Sequence, residues 1–449
     1  MADTNLDLTE GSIPGKILAF AWPVFLGQLF QQLYNVVDSL VVGNFIGSEA
    51  LAAVGSSGSL IQMLVGLING MFMGAGVVVS RYVGARDNEN ISAAVHTTLA
   101  LGLMIGLATS VIGATMSSTI LVWMGTPDSV FDDAVLYLRL YFSGMLAGVL
   151  YNAANGICNA VGDSRHSLYY LIISSVTNVV LDLLFVAVLH TGVAGAAIAT
   201  VIAQAFAAVL NLIRLHGINE PWRVELRRLR LYPGMSGQVL RIGLPSGLQN
   251  SIISIANVVV QSNINAFGTY AMSGSAAYSK IEGFGFLPIT SFSMAMATFI
   301  GQSLGAKKYD RARKGARFGI VCGVVMAELV GVVIYLAGPQ LIALFDRAPE
   351  TIEYGVIRCH IVCPLFCLLA LSHCMAGILR GAGKSFVPMT IMAVCWCVIR
   401  VSYLLIFVPY IGTIESVYFC YPLTWTLSSA AFLVYYYRAD WIHGFDTAA

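Results

Sequence analysis

Three sets of polar residues stand inside stretches that are otherwise apolar, and their spacing gives each set a single helical face. Gln31, Tyr34 and Asp38 are spaced i, i+3 and i+7, Asn178 and Asp182 are i, i+4, and Asn152 and Asn155 are i, i+3. A carboxylate at the centre of a bilayer costs about 2.5–3.5 kcal/mol on insertion scales, so two of them need a partner. No basic residue stands near them in those stretches. If the three faces converge, two carboxylates and three amides form a buried pocket. Desolvation and like-charge repulsion then favour a proton on one of the crowded carboxylates, and the two titrate as a pair. A sodium ion would instead take several oxygen ligands from the same side chains. The residues leave that choice open. The alternative is a static hydrogen-bonded network that fixes helix packing, although two intramembrane aspartates exceed what packing needs.

Other polar residues fall later in the chain. Lys280 and Glu282 are i, i+2 and do not face each other, so Glu282 needs a partner from another helix, and Arg400 is the candidate. These three form a possible second-half charge site, either a neutralising pair or a second coupling site or substrate contact. Glu328 reads as structural. Arg139 and Arg358 lie near the outer starts of their helices, where long side chains snorkel to the interface. Cys359, Cys363 and Cys367 share a face with His360 and His373 nearby, which reads as packing more readily than as a metal site. Gly381 to Ser385 (Gly-Ala-Gly-Lys-Ser) looks like a phosphate loop, but Ile378 stands where that motif needs glycine and no strand precedes it. Nucleotide binding is therefore not expected. Asn152, Met63, Phe284, Phe286 and Met294 supply adaptable surface for a varied lipophilic substrate.

The elements that must position these residues are membrane helices. Of the 449 residues 57% are hydrophobic and 10% charged, and the mean hydropathy is +0.79. A soluble domain carries roughly 25% charged residues. Apolar segments able to span roughly 30 Å of hydrocarbon lie at about 16–43, 50–79, 92–121, 132–158, 167–189 and 193–215. Six more lie at about 238–267, 272–301, 318–338, 352–377, 386–409 and 416–437. The expected fold is an all-α polytopic membrane protein of about twelve helices. Lys and Arg are absent from 43–50, 125–130, 190–193, 267–273 and 410–416 and fill the alternate loops, with Arg347 as the exception. That bias places both termini in the cytoplasm. The first dozen residues are polar and acidic, so no removable signal peptide is expected. Nine cysteines, most of them in apolar segments, suggest no disulfide framework. The net charge of +1 gives no reason to expect nucleic acid.

The chain also repeats. Gly15, Pro23 and Asn35 match Gly237, Pro245 and Asn257 at an offset of 222, and Gly162, Asp163 and Ser164 match Gly383, Lys384 and Ser385 at 221. The expected organisation is a six-helix bundle over 1–216, a basic cytoplasmic linker over 217–237 and a second six-helix bundle over 238–449. Six helices per half make the repeats parallel, related by an axis along the membrane normal, with the cleft between halves and any polar pocket within one half as natural sites.

Trp22 and Pro23, Asp38, Val42 and Gly43, Ile46 and Gly47, Leu51 to Ala53, Gly301 to Ala306 and Leu379 to Ser385 together resemble the multidrug and toxic compound extrusion (MATE) family. The likeness covers essentially the whole chain and is strongest to the bacterial drug-efflux branch. It implies an inner-membrane antiporter, not an enzyme, that exports organic and often cationic compounds in exchange for H+ or Na+ by alternating access. It implies a monomer with no cofactor beyond that ion, whose partners are small molecules and lipid. In similar transporters of the DinF-like branch the first-helix aspartate and the fifth-helix Asn-x-x-x-Asp form the cation site. The matching positions are Asp38, Asn178 and Asp182, with Gln31, Tyr34, Asn155 and Thr200 nearby. A lipid-linked precursor flippase of the related fold is the rival, but it calls for a strongly cationic cavity and extra helices.

Overall fold

The structure is a computed structural model that describes residues 6–45 and 48–443, with side chains described throughout except at 39, 40, 42–44, 48–57 and 59. Of the family motif, Ile46 and Gly47 lie outside the described residues, and Val42, Gly43 and Leu51 to Ala53 are without described side chains.

Among the described residues every regular element is helical. Lipid offers no hydrogen bonds, so a spanning backbone must satisfy itself, and a helix does so within one segment. The first half contains α1 (Ile13–Phe45), α2 (Ser48–Ala85), α3 (Asn88–Trp123), α4 (Asp128–Ser143 continued by Met145–Ala160), α5 (Ser164–Val188) and α6 (Gly192–Gly217). The second contains α7 (Pro233–Asn265), α8 (Thr269–Gly305), α9 (Tyr309–Ala343), α10 (Pro349–Gly381), α11 (Phe386–Ile411) and α12 (Ile414–Arg438). Ten helices pass as spans on length and composition, and the bent pair α4 makes an eleventh. The 33 residues of α7 rise roughly 50 Å, ample for a span, although Gln, Asn and Ser make it more polar. The architecture is thus the expected one of about twelve.

Local departures have local causes. The fourth span is not continuous: it bends by 46° between Ser143 and Met145, at a Ser-Gly step of the kind that weakens a helix. In α10 the chain tightens into a 3-10 turn at Cys363–Leu365, where Pro364 has no N–H to give. The Glu328 carboxylate accepts the freed Cys367 N–H at 2.9 Å, which accounts for Glu328 as a structural residue. Two π turns, Leu183–Val188 and Ala393–Ile399, start immediately after Asp182 and end immediately before Arg400. Such turns in a helix often accompany functional residues.

Contacts divide the chain into two compact units: Leu26–Gly243 with the N-terminal residues up to Asp7, and Leu8–Phe25 with Leu244–Ala449. The division falls next to Pro23 in α1 and Pro245 in α7, so each of these helices is shared out at its proline. Within each unit the same construction appears one repeat apart. The α2–α3 turn sets Arg86 at φ 56°, and the α8–α9 turn sets Lys307 at φ 55°. Gly162 and Gly383 open the turns after α4 and α10 at φ 87° and 76°, a left-handed conformation that costs a side chain. A Cβ on Gly156 would lie 2.8 Å from the Phe72 carbonyl oxygen, and one on Gly377 would run into the carbonyl oxygen of Ser293. The helix crossing repeats with the turns. The second unit's core gathers Tyr278, Phe366, Leu369, Trp396 and Trp425.

Candidate cation site

In the first unit α1, α2, α4, α5 and α6 enclose a cavity of about 70 Å3 lined by Gln31, Tyr34, Asn152, Asn178 and Thr200. A cavity takes a water when it offers roughly 10–15 Å3, so this one has room for an ion-sized species with a few waters. A drug-sized pocket needs roughly 300 Å3 or more. Each of the three faces sends residues to the cavity: α1 brings Gln31 and Tyr34, α4 brings Asn152, and α5 brings Asn178, while the carboxylates Asp38 and Asp182 do not line it. Thr200 donates to the Ala196 carbonyl at 3.1 Å, so its oxygen keeps lone pairs for the cavity.

One turn further along α1 and α5 stand the carboxyl groups of Asp38 and Asp182, near enough to each other for their charges to interact. Asp182 is fully buried, and both of its oxygens, like Oδ1 of Asp38, meet no donor among the described residues. The amide of Asn178, 2% exposed, is likewise unpartnered at both atoms. A buried acceptor without a donor forfeits about 1–3 kcal/mol, more when charged. A proton or a cation would remove that cost, and four oxygens here are without a donor: one of Asp38, two of Asp182 and one of Asn178. Among the described residues no three His, Cys, Asp or Glu side chains cluster as a metal site. Two carboxylates with neutral oxygens suit a hard monovalent cation.

Asn155 does not line the cavity; its Oδ1 accepts from Asn159 at 3.5 Å. Asn69, Tyr141 and Gln204 line it without having been singled out in the sequence. A polar side chain mid-span was the available signal for Asn69 and Gln204. Of the residues expected to line a substrate cavity, Asn152 belongs to this ion-sized one, while Met63, Phe284, Phe286 and Met294 do not line it and are half-buried.

The second half requires two corrections. Glu282 pairs with Arg358, at 3.0 Å, and not with Arg400. Arg358 does not snorkel: it is 3% exposed and also donates to Ser275, Ser279 and Tyr421. Arg400 donates instead to Asn257 at 3.2 Å and Thr424 at 2.8 Å. The reason is distance in sequence: partners on different helices follow no helical period. Lys280 is exposed, two residues from Glu282 and on another face. Arg139 is exposed, as snorkelling requires. Cys359 and Cys363 are buried 3.6 Å apart within the core.

The family model described as MatE matches the chain twice, over 23–184 and 245–406. The chain belongs to the MatE family. Both matches begin at the first-helix proline, Pro23 or Pro245, and their starts and ends are separated by the same 222-residue step. A probable multidrug resistance protein of Bacillus subtilis, YpnP, is 26% identical over 97% of both chains. The multidrug export protein MepA of Staphylococcus haemolyticus is 23% identical over 86% of this chain and 85% of its own. A crystal structure of MATE in complex with MaL6 superposes with a TM-score of 0.92, at 24% identity, over 99% of this chain and 100% of that one. An outward-facing multidrug resistance MATE transporter gives 0.89 over 100% and 99%. The protein is thus a multi-pass membrane transporter of the MatE fold, in a family of transporters and not of enzymes.

Proposed function

We propose that this MatE protein is an antiporter of the plasma membrane that exports organic, often cationic, compounds in exchange for H+ or Na+ bound at Asp38 and Asp182. The observation that carries this reading is the nearness of the buried Asp182 carboxyl group and the half-buried Asp38 carboxyl group, three of whose four oxygens meet no donor among the described residues. A structural network would satisfy its members; this one leaves them open to an ion. Asn178, Gln31, Tyr34 and Thr200 complete the shell. The names of the relatives, which concern drug resistance and export, support the substrate class.

Ion binding removes like-charge repulsion between α1 and α5 and favours the packing in which Tyr34 to Asp38 closes on Asn178 to Asp182. Because α1 contributes to both units, its position reports the ion to each. Alternating access then follows from two packings of one set of helices. One charge moving inward at about 100 mV supplies roughly 2.3 kcal/mol, enough for about a 50-fold gradient. One or two ions suffice, and neither nucleotide nor cofactor is required of a monomer with both termini in the cytoplasm.

The test uses inside-out vesicles with an imposed proton or sodium gradient. Dye accumulation is expected to follow one of these gradients and to disappear in Asp38→Asn and Asp182→Asn. Undiminished transport in both variants would remove the site, and accumulation driven by ATP alone would remove the mechanism. Build-up of a lipid-linked precursor on deletion, without loss of dye export, would favour the flippase.

A further inference from the structure

The second unit buries more positive than negative charge, and the unsatisfied polar atoms of its charged cluster are three N–H donors and the Tyr418 hydroxyl. Arg358 and Arg400 are 3% and 1% exposed. Glu282 neutralises Arg358. Arg400 makes no ion pair among the described residues, since both of its bonds go to the neutral oxygens of Asn257 and Thr424. The two guanidinium carbons lie 5.1 and 4.9 Å from the centroid of one ring, Tyr421, so both charges pack against the same side chain. Three buried N–H groups there meet no acceptor: Nε of Arg358, Nε of Arg400 and Nε1 of Trp425. Trp425 joins the cluster through Tyr421, 5.9 Å away, and through Trp396, 6.5 Å away, over which Arg400 sits at 5.1 Å.

We propose that this cluster binds a small monovalent anion, either chloride or the carboxylate of a transported compound, with Arg400 as the principal donor and Arg358 and Trp425 beside it. Aromatic faces moderate a buried guanidinium but leave its charge uncancelled. Taking an unpaired ion out of water is far costlier than taking out a paired one. An anion cancels the excess charge and supplies the acceptor that three N–H groups lack. The guanidinium fork suits a carboxylate, and its weak hydration suits a partly dry site.

The first unit provides the contrast. Its unsatisfied atoms are chiefly oxygens, its buried charges are carboxylates, and the 222-step between the repeats sets Asn178 against Arg400. The same place in the two halves thus carries an amide beside two acids and a guanidinium beside one. The polarity is reversed, so the second-half charge site is not a second cation site. This inference does not depend on the coupling role of Asp38.

The test is anion binding by the purified full-length protein at constant ionic strength, replacing gluconate stepwise by chloride in one arm and by acetate in the other. Tryptophan fluorescence and melting temperature are followed together. A saturable response is expected in at least one arm. Saturation by chloride identifies a halide site, and saturation by acetate alone identifies a carboxylate site. Arg400→Gln should weaken it by about tenfold or more, the worth of a charged hydrogen bond. Asp38→Asn should leave it unchanged, while Glu282→Gln, which adds net positive charge, should tighten it. No saturable response in either arm overturns the proposal, as does wild-type affinity in Arg400→Gln. If Arg400→Gln yields no folded protein, Glu282→Gln decides alone, and an unchanged or weaker affinity there overturns it.

Discussion

A buried charge is informative through what surrounds it. Asp182 is surrounded by an acid and an amide, Glu282 by a guanidinium, and only the second arrangement is complete within the chain. Removing one member of a buried pair leaves the other uncompensated, at a cost of about 3–5 kcal/mol. Glu282→Leu is therefore expected to lower stability by about that amount in denaturation, leaving two guanidiniums without a carboxylate. The double variant Glu282→Leu/Arg358→Met should recover most of the loss. Asp182→Asn, by contrast, is expected to fold with unchanged or higher melting temperature while losing ion-driven transport, because it removes repulsion and not a pair. The acids were legible in the sequence since each stood alone in an apolar span. The Arg358 partner was not, because 76 residues separate it from Glu282 and no periodicity connects them.

Elements in this protein depend on where backbones approach. At Gly156 a side chain would meet the Phe72 carbonyl, and at Gly377 that of Ser293. Valine at either position should cost about 1–3 kcal/mol or prevent folding, read as melting temperature or detergent-soluble yield. Gly217→Val, which opens onto empty space, is the control. The N-terminal segment is held differently. Arg311 donates to the carbonyls of Leu8 at 2.9 Å, Glu10 at 3.0 Å and Gly11 at 2.7 Å, and Lys308 donates to that of Thr9 at 3.0 Å. Arg311→Ala is expected to speed hydrogen exchange and proteolysis over residues 6–12 while α8 and α9 keep their protection. The segments themselves were readable from length and hydropathy. The bend at Gly144 was not, since nothing within one helix says which neighbour will press on a Ser-Gly step.

For the molecule, duplication is the organising fact. Paired turns, paired helix crossings and two family matches all recur at a step of 221 or 222 residues. Repeats of six helices each are expected to enter the membrane from the same side, with the basic loops of each half in the cytoplasm. Alkaline phosphatase fused at His190 or Gly268 is expected to be active, and a fluorescent protein fused after Ala449 should fluoresce. Activity after Lys384, or a dark C-terminal fusion, would reverse the assigned orientation. Similar scaffolds with opposite buried charge, acid in one half and basic in the other, show that the repeat sets the frame while single residues set the chemistry.

The helical membrane fold, the approximate number of spans, the duplication and the acids of the first half are all readable from the order of the residues. Each is written in a local or periodic signal that the bilayer makes obligatory. Tertiary structure alone decided which charges meet, which orphaned atoms are acceptors and which donors, and that the first-half cavity is ion-sized. Those properties depend on side chains from helices far apart in sequence, whose contacts follow the packing of whole elements and not the pattern within any one of them.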